Sequence, residues 1–383
     1  MRCLSLALIV VAAFSFIGSA TAQPAEPAGE PAETPPTPPT DPAPPLPSDP
    51  AVADPGGGMP ALPPVAPITT EPTPEPEVAP ADRPPPEGLR VMLSDLTILR
   101  LNPLGLETRV RFGVQQRLYA SDKAITRNNF WFAGLYPKLN PASAQIAVGG
   151  EIQPASIFNL RVFGEVQKYF GTFGFFQSFP TANANYSDQT LKDLRDSDVT
   201  PPQTSTVLHA SIQPLLQLKL GPIAVRGLFQ FDYWDFRVRA GDSVAYEPTF
   251  DTLLPNKGWT LSIDADVLYT GRKNTAIGLR YSRVHPFYNE SHFANAAELE
   301  AYDGENMHDR LGLFAAYTLK DHGPSTFNKP TVILIVSWYL NHPWRAGEPD
   351  TIAADERSDD FTSRAFPYFL LGFAFESDFL AVK

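Results

Sequence analysis

From about position 108 onward, apolar residues recur at every second place along the chain. The run from Trp259 shows it most clearly: Trp259, Leu261, Ile263, Ala265, Val267 and Tyr269 alternate with Thr260, Ser262, Asp264, Asp266, Leu268 and Thr270. A period of two with unlike faces is a β-strand lying between two different surroundings. The final strand repeats the pattern, with Phe369, Leu371, Phe373, Phe375 and Phe379 opposed by Leu370, Gly372, Ala374, Glu376 and Asp378. Val110, Phe112, Val114 and Leu118 likewise oppose Arg109, Arg111, Gln115 and Arg117. The pattern predicts strands near 108–119, 144–153, 158–170, 206–220, 223–236, 259–270, 275–287, 310–319, 331–341 and 366–379. Pro214 within the fourth of these suggests a bulge.

The connections between these strands differ in length. Those at 154–156, 221–222, 271–274 and 320–330 are short, and those at 120–143, 171–205, 237–258, 288–309 and 342–365 are long. Short and long alternate, so in an up-and-down arrangement all turns fall at one end and all long loops at the other. The expected fold is all-β: an antiparallel up-and-down transmembrane β-barrel of about ten strands. Twelve is the alternative, if 129–136 adds a strand paired with one at 92–101, which keeps the number even.

The 107 residues before this region read differently. Met1-Arg2, an apolar run to Ile17 and the small-residue site Ala20-Thr21-Ala22 make 1–22 a secretory signal peptide, with a retained helical anchor as the alternative. Residues 23–88 form a disordered Pro/Ala/Glu-rich linker without an aromatic residue, which cannot offset chain entropy by packing. Fully extended as polyproline II it reaches about 200 Å. A plain spacer is the favoured reading; a strip for a periplasmic or peptidoglycan-associated partner is the other. Residues 89–107 are read as a short pre-barrel segment, and 108–383 as the barrel.

Charge and cysteine narrow the function classes. The net charge is −12, but the linker holds eleven acidic residues against one basic, so the barrel region is nearly balanced. No basic excess points to nucleic acid. The single cysteine, Cys3, precedes the apolar core of the signal, which leaves no disulfide or thiolate metal site in the mature chain. No stretch is long and apolar enough for a membrane helix.

Lipid outside is favoured over a soluble core because Trp259 and Tyr269 bracket the apolar face of their strand at interfacial positions. Ten residues tilted by about 45° rise about 23 Å, close to the roughly 25 Å apolar band of an outer-membrane barrel. A secreted soluble sandwich also alternates but does not sort its loops to one end. The signal, the alternating strands, the sorted loops and the terminal Phe379 resemble the bacterial outer-membrane β-barrel proteins. That resemblance implies outer-membrane lipid and the barrel insertion machinery as partners. It places the N-terminal tail and C-terminus in the periplasm and the long loops outside the cell. Leu380 to Lys383, which follow Phe379, depart from the pattern of a terminal aromatic.

Inward-facing charges must pair, and short turns predict the pairs: Glu151 with Arg161, and Asp264 with Arg280. The Gly221-Pro222 turn sets His209 opposite Trp234 and diagonal to Asp232, near the outer rim. His209 and Asp232 are the catalytic candidates if the barrel is an outer-membrane hydrolase; a hydrogen-bonded structural pair is the bland reading. His285, Glu290 and His292 fit no firm ligand spacing, so no metal is expected, and no motif calls for a cofactor. The leading expectation is a structural or surface role with a largely filled polar lumen. A small-solute channel is second and a hydrolase third.

Overall fold

In the computed structural model, residues 87–197, 203–271, 274–304, 306–320, 325–345 and 366–380 are described. The expected signal peptide and nearly all of the Pro-rich linker lie outside them. Twelve antiparallel strands close into a barrel. In chain order they are β1 (Leu89–Leu101), β2 (Gly105–Gln116), β3 (Phe130–Asn140), β4 (Ser143–Ala155), β5 (Phe158–Tyr169), β7 (Ser205–Leu220), β8 (Ile223–Phe236), β11 (Gly258–Tyr269), β12 (Thr275–Phe287), β13 (His308–Thr318), β14 (Asn328–Asn341) and β15 (Tyr368–Asp378). Each pairs with its neighbours in this order, and β1 closes on β15. Met92 pairs with Asp378 and Leu101 with Phe369 across that seam, which Arg90 reinforces through a 2.5 Å ion pair to Asp378. The remaining strands, β6 (Gln177–Phe179), β9 (Val244–Glu247) and β10 (Thr252–Pro255), form a separate three-stranded sheet.

The ten expected strands are all present; β1 and β3 make up the twelve. Residues 89–101 are therefore the first staves of the barrel and not a segment ahead of it. Nor are the two extra strands neighbours, since β2 lies between them. Both escape the alternation rule for a reason. In β3 the inward positions Phe130, Phe132 and Tyr136 are aromatic, so over 130–136 both faces are apolar. In β1 the polarity is partly inverted: Leu96 and Ile98 line the interior, while Asp95 and Thr97 share the parity of the exposed Leu89 and Leu99.

The added strands also change the loop pattern. One end of the barrel carries both chain ends of the strand series and the connections 117–129, 156–157, 221–222, 270–274 and 319–327. The other carries 102–104, 141–142 and the four long connections 170–204, 237–257, 288–307 and 342–367. Strict alternation of short and long does not hold, because β3 divides the expected loop 120–143. The length asymmetry between the ends remains. Gly221, at φ +58°, allows the tight β7–β8 turn that fixes the register of that hairpin.

Outside, the barrel presents an extended apolar surface, broken by Asp95 and Thr97 on β1 and by the Arg283–Asp309 pair on β12 and β13. Val267, Leu279 and Leu313 stand side by side on β11, β12 and β13, each about half exposed. Trp259 and Phe287 mark this surface near the long-loop end, and Tyr269, Tyr317 and Phe379 near the other. Soluble proteins rarely leave a contiguous apolar area of this kind uncovered.

At the long-loop end the connections fold inward as a roof. Phe179, Tyr186, Leu191, Val244, Tyr246 and Leu253 form one buried cluster there, with Phe293 from 288–307. Tyr169, Val207, Trp234 and Phe236, from the ends of barrel strands, form a second cluster with Phe176, Ala245 and Leu254. All residues of β9 and β10 are buried, so the 237–257 connection is a folded insert and not a solvated loop.

Candidate functional site

The interior divides into a filled side and a hollow side. On the filled side, β2 to β8 interlock through charges. Glu151 accepts from Arg161 and from Arg111, each at 2.8 Å, and from the Tyr136 hydroxyl at 3.1 Å. Glu151 and Arg161 stand directly opposite one another, as expected, through a register shift between Ile152 and Ala155. Arg111 also lies 3.5 Å over the Phe132 ring, so the guanidinium is held on two sides.

His209 sits in the same half, 2.9 Å from Asp232 through Nε2 and opposite Trp234, on which it stacks at 3.9 Å. Its Nδ1 is engaged as well, at 3.0 Å from Glu165, which Lys138 pairs at 2.7 Å. Glu165 was not among the sequence candidates: it reaches His209 through the β5–β7 pairing, whose register no short turn fixes. With a carboxylate on each ring nitrogen, the imidazole offers no free lone pair to a substrate. Substituting His209 by Ala is therefore expected to lower the temperature at which the compact barrel unfolds on a gel, by leaving two buried carboxylates short of a partner. A loss of hydrolytic activity with unchanged unfolding temperature would reinstate it as a catalytic base.

On the hollow side the expected pair shifts. Arg280 stands opposite Asp266, not Asp264, because Tyr269 pairs with Ile277 across a five-residue connection in which Asn274 takes a positive φ of 65°. Arg280 donates to Asp266 at 2.7 Å and lies 3.6 Å from Asp264. Arg226 holds Asp266 from the other side at 2.6 Å. Trp259 and Tyr269 are exposed on the outer face, as is Phe379 just beyond β15.

Two cavities flank this triad. The larger, about 340 Å³, reaches up to Thr249 and Phe250 at the tip of the inserted hairpin. The smaller, about 220 Å³, is lined by Asn159 and Gln213 toward the opposite end. Arg226, Asp264 and Arg280 border both, so the two lie in series with a charged partition between them.

The hairpin tip is pinned by groups far apart in sequence. Asp251, fully buried, accepts from Arg345 at 2.5 Å, from Tyr339 at 2.7 Å and from Tyr246 at 2.8 Å. Arg345 also donates to Asp188 at 2.8 Å and to Asn102 at 2.6 Å. Burial alone would raise the Asp251 carboxyl; the adjacent Arg345 and then His342 outweigh it and hold it well below the usual carboxylate range. The same contacts raise Arg345 against its own burial, and burial beside Asp251 pushes the Tyr246 hydroxyl well up. Sequence periodicity carries no trace of this latch, since its members lie in four different connections and two strands. His292 is spent on backbone, with Nε2 at 2.9 Å from the Asn256 carbonyl and Nδ1 accepting from the Asn289 N–H. His285 packs against Phe287, and among the described residues no group of three His, Cys, Asp or Glu is placed to hold a metal.

No family model matches the chain, and no curated protein matches it. Among solved structures, the translocator domain of the autotransporter NalP from Neisseria meningitidis is similar over 76% of this chain and 88% of its own, at 10% identity and a TM-score of 0.34. The NanC porin is similar over 75% of this chain and 100% of its own, at 9% identity and a TM-score of 0.31. OccD3 of Pseudomonas aeruginosa is similar over 77% and 92%, at 11% identity and a TM-score of 0.28. All three are bacterial outer-membrane β-barrels; at these scores no role of theirs transfers.

Proposed function

We propose that the chain is an integral outer-membrane barrel that serves as a small-solute passage, closed at rest by its own roof. The apolar outer wall with aromatic residues near both rims supports the membrane setting. In that setting the roof faces the cell exterior, and the strand termini face the periplasm. The observation that carries the passage is the pair of cavities in series: a purely structural lumen gains nothing from hollows lined with charge, because buried charge is costly and packing is not.

This reverses the order of the first two readings drawn from sequence. The filled half still favours a narrow bore, and the inserted hairpin accounts for closure. The hydrolase reading loses its base, because both nitrogens of His209 are occupied.

Planar-bilayer recording tests the proposal. The unaltered protein is expected to be silent or to open briefly. A variant with residues 248–251 replaced by a Gly-Gly linker is expected to show discrete conductance steps. A variant that keeps the heat-modifiable gel mobility of a folded barrel and stays silent would overturn it.

A further inference from the structure

We infer that the larger cavity is a binding site for a small amphipathic carboxylic acid, its carboxylate on an arginine wall and its hydrocarbon body on an aliphatic one. The inference rests on the passage reading for the site's role, and names the solute class.

The two walls come from different strands. From β8, β12 and β13 come Arg226, Arg280 and Arg310; from β1, β14 and β15 come Leu96, Ile98, Ile333, Ile335 and Leu370. Arg100 and Arg109 add two further guanidinium groups, whereas Asp264 is the one acid on the lining. Several of these arginines are spoken for. Asp266 holds Arg226 and Arg280, and Glu107 holds Arg109.

Two are not. Arg310 makes no ion pair among the described residues; its Nε finds no hydrogen-bond partner, and its guanidinium rests between two rings, 4.0 Å from the centre of Tyr368 and 5.6 Å from that of Tyr339. Arg100 is buried, and its side-chain hydrogen bond is a 3.4 Å contact to Thr249. Glu107 reaches Arg100, and Asp264 reaches Arg310, only from beyond ion-pair distance; a buried guanidinium with no carboxylate in contact is costly, and a planar anion repays it through two parallel hydrogen bonds.

The size and the aliphatic wall set the rest of the ligand. At roughly 30 Å³ for each water-sized group, about 340 Å³ accommodates about ten heavy atoms. Inorganic phosphate or acetate would leave the aliphatic wall against empty space. A neutral aromatic would leave Arg100 and Arg310 unpaired. A ring or short chain bearing one carboxylate satisfies both walls. Thr249 and Phe250 roof the cavity, so entry from outside is coupled to movement of the hairpin tip.

Equilibrium dialysis of the detergent-folded protein at neutral pH, corrected for empty micelles, tests this with benzoate, benzamide and acetate. Benzoate is expected to bind saturably at one per chain, about tenfold or more tighter than benzamide, which lacks the charge, and than acetate, which lacks the ring. Arg310→Gln is expected to weaken benzoate about tenfold while the folded gel mobility is kept. Equal binding of benzoate and benzamide, equal binding of benzoate and acetate, or an unchanged affinity in folded Arg310→Gln would each overturn the site. If Arg310→Gln does not fold, the ranking of the three probes by the unaltered protein decides. Benzoate binding by a barrel that stays silent after tip replacement removes the passage and keeps the site. Conductance without preference for benzoate does the reverse.

Discussion

Replacing Asp251 by Ala is expected to release the roof. The side chain is buried and accepts from Arg345, Tyr339 and Tyr246, so its loss strands the Arg345 charge beside Asp188 alone. Breaking a buried charge network from one side costs about 3–5 kcal/mol. That cost falls on the roof first, because the barrel ladders do not depend on it. The measurement is hydrogen exchange together with limited proteolysis. Residues 237–257 should lose protection by two orders of magnitude or more while β4, β5 and β12 keep theirs. Protection unchanged in the roof would mean that its hydrophobic clusters hold it without the latch.

The same network predicts a pH dependence. Asp251 has a folded-state pKa depressed below its unfolded value. Its contribution is therefore complete above the unfolded value, near about 3.9, and is lost only as pH falls through the lower, folded value. Roof protection should be flat from neutrality to about pH 4 and decline in stronger acid. A decline centred between pH 5 and 7 would assign the control to a histidine instead.

A charge placed on the outer wall is expected to have a comparably large effect. Leu279 is 54% exposed, between Val267 at 44% and Leu313 at 55% on the adjoining strands. If that wall meets acyl chains, Leu279→Arg costs about 2–4 kcal/mol at mid-membrane depth. If it meets water, an exposed substitution of this kind stays within about 0.5 kcal/mol. Denaturant titration of folding into lipid vesicles separates the two. A null effect there would remove the membrane setting, and with it the assignment of the roof to the cell exterior.

How much of this was legible in the sequence follows from what fixes register. Where two residues join two strands, as at 221–222, counting outward from the turn places His209 beside Asp232; at 156–157 the same count gives Val162 for Glu151, and an irregularity between Ile152 and Ala155 moves the partner to Arg161. Where the connection has five residues, as before Thr275, the count slips by two and assigns Arg280 to Asp264 in place of Asp266. Where it has 35, as between β5 and β7, no count is possible, and Glu165 goes unnoticed. Alternation itself fails where the lumen is lined by hydrophobic side chains, which is why Phe132 and Tyr136 conceal β3. The latch was beyond reach for a different reason: Asp188, Asp251 and Arg345 lie in aperiodic connections, and only the closed ring brings those connections over one mouth.

The seam between β1 and β15 also has a kinetic meaning. Its partners lie at opposite extremes of the barrel region, with Arg90 and Asp378 separated by 288 positions. Eleven of the twelve hydrogen-bonded junctions join barrel strands consecutive along the chain and can form as a growing ribbon; this one cannot exist until Tyr368–Asp378 has been made. In the proposed membrane setting, two raw edges, β1 and β14, would until then face an acyl environment that has nothing to offer an unpaired amide. In that setting the ribbon would have to be shielded, or kept out of the bilayer, until its last stave arrives, and the contact of longest sequence separation would be the one that makes insertion permissible.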